Sequence, residues 1–363
     1  MSKLINDIYS QLFQLASHEN HSTLWVVDEN VSKDMLALAA QCQQCVVITN
    51  RFDIYCDGQQ THTPTETDLQ FSDFDFSSFS DGQFDQIIYR VSKERAVTHW
   101  VLSNCATLLK EGGTLFLAGA KEEGIKTYID KTNKLLPFSG KGKKYGPYYI
   151  ADLNKISTPE NSVNRLLNHK NYPQLRSIGQ FAEQDMLSKP GVYGWNKIDE
   201  GSTLLAEEFD KLYRAQNAQA KENVTALDLG CGYGYLSLAA ANAGIKYIVA
   251  TDNNAAALNA TKENLSARGV ENQNVIATDC GEGIKEKFDW VLCNPPFHQG
   301  FAIDSQLTEK FVRAAKHRLK PKGRALFVVN AFIPLEKIAA DIFRYQTTLI
   351  NNRKFKVIEL KSA

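Results

Sequence analysis

"TALDLGCGYGYLSLAAANAG" (residues 225–244) divides into three parts. The apolar start reads as a buried strand, and the leucine- and alanine-rich run from about Tyr235 reads as a helix. Between them, Gly230, Gly232 and Gly234 alternate with Cys231 and Tyr233. Without a Cβ, such residues let the chain turn sharply and let a ligand lie against the backbone at the start of the helix. A strand entering a helix through a glycine turn opens a nucleotide-binding α/β sheet.

The same alternation continues outward. "YIVATD" (247–252), "QNVIATD" (273–279), "FDWVLCN" (288–294) and "GRALFVVN" (323–330) read as strands, and "AAALNATKENLSARG" (255–269) and "TEKFVRAAKHRL" (308–319) as helices. That order specifies a Rossmann-like parallel sheet with helices on both faces. The N-terminal half repeats it more loosely: "TLWVVDEN" (23–30), "SKDMLALAAQ" (32–41), "CVVITN" (45–50), "QFDQIIYR" (83–90), "VLSNCATLL" (101–109) and "EGGTLFLAGA" (111–120). Phe84-Asp85 corresponds to Phe288-Asp289, and Gly113 to Gly323, as expected of an internal duplication. The first copy is degenerate, with no glycines after Asp28 and Tyr-Arg-Val-Ser after Ile88. A polar, proline-bearing stretch (157–180) separates the halves, so the expected domains are 1–170 and 171–363.

The chain has 363 residues, with 41 Lys+Arg against 41 Asp+Glu. Balanced charge gives no overall bias toward nucleic acid or anionic lipid, so any such contact must come from local patches. No run approaches the roughly 18 apolar residues of a membrane span, and the first residues lack a signal-peptide core, so a cytoplasmic location is expected. Seven cysteines, mostly in apolar stretches, suggest reduced thiols used as small core residues, including the Cys42/Cys45 pair. The histidines lack metal-ligand spacing, and no metal is expected. "SGKGKKYGPYY" (139–149) reads as a surface loop whose Lys141, Lys143 and Lys144 are either simply solvated or contact RNA phosphates. The basic cluster from Lys316 to Arg324 reads as a helix C-terminus complementing its dipole.

Three successive strands end in an aspartate, Asp228, Asp252 and Asp279. Asp252 follows Asp228 at close to the roughly 20-residue spacing at which a carboxylate receives ribose hydroxyls in dinucleotide folds. The loop, however, is G-x-G-x-G, and an acidic residue precedes it. A carboxylate there suits a cationic ligand better than a pyrophosphate, and S-adenosylmethionine carries both an adenosine and a positively charged methionyl group. Asp279 could accept a hydrogen bond from the adenine amino group, with Cys280 packed beside the ring. Cys231 in the loop and Asn253 beside Asp252 belong to the same candidate pocket.

The fourth strand ends differently, in Asn294-Pro295-Pro296-Phe297. Two prolines remove two donors and fix two φ angles, making a rigid tip. The Asn294 side-chain carbonyl and the Pro295 backbone carbonyl can each accept one N–H from a planar amine. Phe297 offers a face on which an extruded base can stack.

"DLGCGYG" with "CNPPFHQG" resembles the class I S-adenosylmethionine-dependent methyltransferases that act on exocyclic or amide nitrogens. With the degenerate first copy, the chain resembles the ribosomal RNA guanine-N2 methyltransferases, in particular those of the small subunit. "KPGVYGWNKIDEGSTLLAEEF" (189–209) is similar to a segment of that family, with Tyr193, Ile198 and Ser202 exchanged for its Phe, Leu and Thr. The resemblance implies two tandem class I methyltransferase domains, the first without cofactor and serving as scaffold and RNA-binding surface. It implies methionyl contacts at Asp228, Gly230, Gly232 and Gly234, ribose at Asp252, adenine at Asp279, and the target guanine at Asn294, Pro295 and Phe297. It also implies a monomer acting on 16S rRNA within the 30S subunit. The competing readings are guanine-N2 methylation of large-subunit RNA, glutamine-N5 methylation of release factors, DNA adenine-N6 methylation, a non-catalytic ribosome-binding factor, and an NAD-dependent dehydrogenase.

Overall fold

The computed structural model describes residues 2–16, 21–28, 31, 33–42, 44–61, 67–157, 167–216, 222–270, 273–296, 298–299, 302–303 and 305–361. The chain divides into two compact units, Met1–Pro173 and Gln174–Ala363.

The first unit runs α1 (Ser2–Ala16), β1 (Ser22–Val27), α2 (Lys33–Leu36), β2 (Gln44–Thr49), α3 (Phe52–Thr61), β3 (Thr67–Phe71), β4 (Phe84–Arg90), α4 (Arg95–Leu108), β5 (Leu109–Ala120), α5 (Ile125–Leu135), β6 (Phe138–Tyr145) and β7 (Tyr148–Lys155). The second opens with a hairpin, β8 (Arg176–Phe181) and β9 (Gln184–Ser188), then α6 (Glu200–Arg214). It continues β10 (Thr225–Leu229), α7 (Tyr235–Asn242), β11 (Tyr247–Asp252), α8 (Ala255–Ser266), β12 (Gln273–Ala277) and β13 (Phe288–Cys293). A two-residue pair, β14 (His298–Gln299) and β15 (Ala302–Ile303), precedes α9 (Ser305–Arg318), β16 (Leu319–Asn330), α10 (Leu335–Ala340), β17 (Tyr345–Asn351) and β18 (Phe355–Lys361).

The two large sheets have one topology, β3-β2-β1-β4-β5-β7-β6 and β12-β11-β10-β13-β16-β18-β17. The duplication extends to side chains. In the first sheet the Ser22 N–H and hydroxyl both donate to Asp85 Oδ2, and Lys110 pairs with its Oδ1 at 2.8 Å. In the second, the Thr225 N–H and hydroxyl donate to Asp289 Oδ2, and Lys320 pairs with that oxygen at 2.7 Å. A Cβ on Gly113 or on Gly323 would lie 2.9 Å from a backbone carbonyl, so both copies need glycine where the long strand bends. The strands are apolar on both faces because each sheet is covered on both sides. Trp290 and Leu292 pack with α6 and α7, whereas the alternate residues Val291 and Cys293 pack with α9.

The structure departs from the sequence expectations at two points. The second sheet is mixed rather than wholly parallel, since β18 runs antiparallel to β16 and β17 to β18. The lysine-bearing stretch 139–149 is no loop: Ser139–Lys144 pairs with β7 as an edge strand. A Cβ on Gly140 would lie 2.1 Å from the Asp152 carbonyl oxygen, and one on Gly142 2.7 Å from Ile129, so the glycines that suggested a loop permit close strand and helix packing. By strand register Trp25 sits opposite Ile88 as Asp228 sits opposite Leu292, so Trp25 is the counterpart of Asp228.

None of the seven cysteines is in a disulfide, and five are buried. Among the described residues no helix is long and apolar enough to cross a membrane, and no cluster of His, Cys, Asp and Glu could hold a metal ion.

Candidate active site

Strands β12, β11, β10 and β13 are adjacent and parallel, so their C-terminal ends share one edge of the second sheet. That edge gathers the residues singled out in the sequence, as expected for a ligand site in an α/β sheet.

Asp228 lies one residue before the end of β10 and is buried. Its Oδ2 accepts hydrogen bonds from the Ser237 N–H (2.8 Å) and hydroxyl (2.7 Å) in α7, while Oδ1 is buried with no hydrogen-bond partner. Burial pushes the carboxyl up to about 7 against the Ser237 bonds, which favour the ionised form, and the Asp252 carboxylate adds to the rise. An acidic oxygen left unpaired in the interior is costly unless a donor arrives.

The glycine loop is held from beneath. Gly230 and Cys231 N–H both donate to the Thr251 carbonyl at 2.8 Å, and Gly232 N–H donates to Asp252 Oδ2 at 3.0 Å. The Asp252 Oδ1 receives the Asn254 N–H at 2.9 Å, so this carboxylate ties the loop to the start of α8. The glycines differ in purpose. A Cβ on Gly232 (φ +55°) would meet nothing within 4 Å, whereas one on Gly234 (φ +85°) would lie 3.0 Å from Thr261. Gly232 therefore leaves the open face, and Gly234 permits helix packing. Cys231 accepts a hydrogen bond from the Thr261 hydroxyl at 3.3 Å, and its thiol is pushed up by burial and by Asp252 and Asp228, so it packs rather than reacts. Asn253 is half-buried at the bend after β11.

Asp279 lies beyond the end of β12, not within it, and its Oδ2 is ion-paired with Lys310 of α9. A hydrogen bond to an adenine amino group would fall to the other oxygen. Cys280 next to it has φ +50° and a thiol raised by burial and by Asp279.

Asn294 follows the last residue of β13. Its Nδ2 donates to Asp199 Oδ2 (2.8 Å) and to Ser202 Oγ (2.9 Å) at the start of α6. Pro295 is buried and Pro296 half-buried, while Phe297 lies outside the described residues. Sequence reasoning missed Asp199, Ser202, Tyr233, Thr261 and Lys310 as parts of this site. Asp199 had a signal: an aspartate three residues before Ser202 and ahead of an apolar run is a helix-cap pattern. Lys310 had none. Lys141, Lys143 and Lys144 lie exposed on β6 of the first unit.

Among its described residues the first unit carries no such site. By strand register its counterparts of Asp228, Asp252 and Asn294 are Trp25, Thr49 and Arg90. The Trp25 indole is fully buried beneath Tyr9 and Phe13 of α1, with ring centroids at 5.6 and 4.7 Å. Arg90, 3% exposed, is ion-paired with Glu123, 4% exposed. Apolar packing and a buried ion pair stand where carboxylates and an amide line the second unit.

The Methyltransferase small domain family matches residues 183–359, and the Methyltransferase small domain N-terminal family matches residues 10–142. A ribosomal RNA small subunit methyltransferase C from Chromohalobacter salexigens is 31% identical over 267 residues, 72% of this chain and 73% of that protein. The protein of the same name from Haemophilus influenzae is 27% identical over 331 residues, 90% of each chain. Among solved structures, a T. thermophilus 16S rRNA N2 methyltransferase specific for guanine 1207, in complex with AdoMet and guanosine, superposes with a TM-score of 0.78 at 23% identity, covering 97% of this chain and 91% of that one. The last likeness carries the fold across the full length.

Proposed function

Given that the chain belongs to the ribosomal RNA small subunit methyltransferase C family, we propose that it transfers a methyl group from S-adenosylmethionine to the exocyclic N2 amine of a guanine in 16S rRNA. It acts in the cytoplasm as a monomer on the assembled 30S subunit, without a metal. The observation that carries this reading is the pairing, at one sheet edge, of a glycine loop above an unpartnered buried aspartate oxygen with a rigid Asn-Pro-Pro tip.

When bound, S-adenosylmethionine supplies an electrophilic methyl on a cationic sulfur. Asp228 Oδ1 is the acceptor for the methionyl ammonium group, Gly232 lets the ligand reach the loop backbone, and Asp252 meets the ribose. Asn294 Oδ1 and the Pro295 carbonyl each accept one N2–H of the guanine and hold its nitrogen toward the methyl carbon. With the cofactor bound, that placement would let the nitrogen lone pair take the methyl group as its bond to sulfur breaks, the bonding electrons remaining on sulfur. A proton then leaves the methylated amine to solvent, so no general base is required before attack. The first unit serves as scaffold and RNA surface, with Lys141, Lys143 and Lys144 neutralising backbone phosphates.

Alanine at Asp252 is expected to weaken S-adenosylmethionine binding by about 10-fold or more, since the carboxylate both meets the ribose and anchors Gly232. Equilibrium titration checks this, and an unchanged dissociation constant removes the ribose assignment. The activity itself is tested by transfer of labelled methyl to small subunits, large subunits and the naked RNA of each, from cells lacking this protein. Label on guanine N2 in small subunits is expected, with the position equivalent to guanine 1207 mapped first. Label confined to large subunits selects the large-subunit reading, and none on any RNA removes the proposal.

A further inference from the structure

The Asn294 amide can face two ways, and only one serves the reaction. With Oδ1 toward the guanine it accepts an N2–H; with Nδ2 there, a donor would meet a donor. The Pro-Pro tip fixes the backbone but leaves this choice to the partners of the amide. One partner, Ser202 Oγ, is a hydroxyl that can donate or accept and so accommodates either orientation. The other, Asp199 Oδ2, belongs to a carboxylate, which when ionised only accepts. An Asn294 oxygen placed 2.8 Å from it would set two acceptors against each other.

We propose that Asp199 is a positioning residue for methyl transfer: its carboxylate fixes the Asn294 amide with the nitrogen inward, so that the carbonyl faces the guanine amine. This rests on the reading of Asn294 as the group that holds the target base. Asp199 is well placed for the task. It is the N-cap of α6, where Oδ2 also receives the Ser202 N–H at 2.7 Å. Its own N–H donates to the Tyr233 hydroxyl at 2.8 Å, and Tyr233 stands between Gly232 and Gly234 in the glycine loop. One residue thus anchors the base-holding amide through its side chain and the cofactor loop through its backbone. The segment leading into it is tied down as well, since Asn254 Nδ2, at the start of α8, donates to the Gly191 carbonyl.

The test separates positioning from capping. Asp199→Ser keeps a good N-cap for Ser202 but is too short to reach Asn294. Asp199→Asn retains an oxygen that can receive both the Ser202 N–H and Asn294 Nδ2. Turnover number, KM for S-adenosylmethionine, thermal midpoint and guanosine affinity by calorimetry in S-adenosylhomocysteine are measured for wild type and both variants. Asp199→Ser is expected to lower kcat and guanosine affinity by about 10-fold each, leaving the midpoint and cofactor KM near wild type. Asp199→Asn is expected to restore most of both. Wild-type kcat and guanosine affinity in Asp199→Ser, or no recovery in Asp199→Asn, overturns the proposal. If the wild-type protein methylates no RNA while guanosine affinity still falls in Asp199→Ser and recovers in Asp199→Asn, the functional reading fails, and what stands is that Asp199 orients the Asn294 amide for guanosine binding.

Discussion

Replacing Asn294 with alanine is expected to reduce methyl transfer by about 100-fold or more while leaving S-adenosylmethionine affinity within about 2-fold of wild type, as befits a group that orients the nucleophile and not the cofactor. The amide does two jobs that alanine cannot. In the proposed mechanism its carbonyl holds one N–H of a planar amine whose lone pair is otherwise delocalised into the ring, and its nitrogen closes the Asp199 and Ser202 contacts that set the tip against α6. The truncation removes two side-chain hydrogen bonds at the sheet edge and leaves the buried strand β13 intact, so the fold should survive. Single-turnover transfer to small subunits, paired with a cofactor titration, reads both halves of the expectation. Retained turnover would sink the mechanism, and a parallel loss of cofactor affinity would move Asn294 into the cofactor pocket.

Asparagine at Asp228 is expected to raise the dissociation constant for S-adenosylmethionine by about 10- to 100-fold, the worth of a charge-assisted hydrogen bond made in the interior. The same exchange should change how stability depends on pH. Burial raises the folded-state carboxyl to about 7, well above the value of about 3.9 in an unfolded chain. Below about pH 4 both states hold the proton and no penalty arises. As pH climbs from about 4 to 7 the unfolded chain ionises first, so the unliganded wild-type protein loses stability on the order of a few kcal/mol, and the loss is complete above about 7. The asparagine variant lacks this titration and should be the more stable protein at pH 8 without ligand. Cofactor affinity of the wild type should rise between pH 6 and 7.5, as the carboxylate forms to meet the ammonium group, and stay flat in the variant. Denaturant melts and titrations at three pH values decide it; equal affinities at every pH would remove Asp228 from the methionyl contact.

Much of this site was legible because its signals are local. The G-x-G-x-G turn, the aspartates near successive strand ends and the Asn-Pro-Pro tip each depend on residue type within a few positions, where φ preference and apolar periodicity act directly. The misreadings have equally physical causes. Gly140 and Gly142 have a loop's composition, yet their missing side chains admit Asp152 and Ile129 from neighbouring elements. Nor does composition show which residue of the first copy lines up with Asp228: strand register depends on pairing with β4, and it selects Trp25.

Residue type and periodicity alone specified two copies of one α/β fold, which of them retains the glycine loop, and the polar groups at the sheet edge. What each group is bonded to depended on how the elements pack. Asp199 meets Asn294 across 95 residues of chain, and Lys310 meets Asp279 across 31. Helix and strand periodicity report which face of an element is apolar, but a hydrogen bond between distant segments depends on how whole elements pack. That packing turns the Asn294 nitrogen toward Asp199 and Ser202 and leaves one Asp228 oxygen without a hydrogen-bond partner.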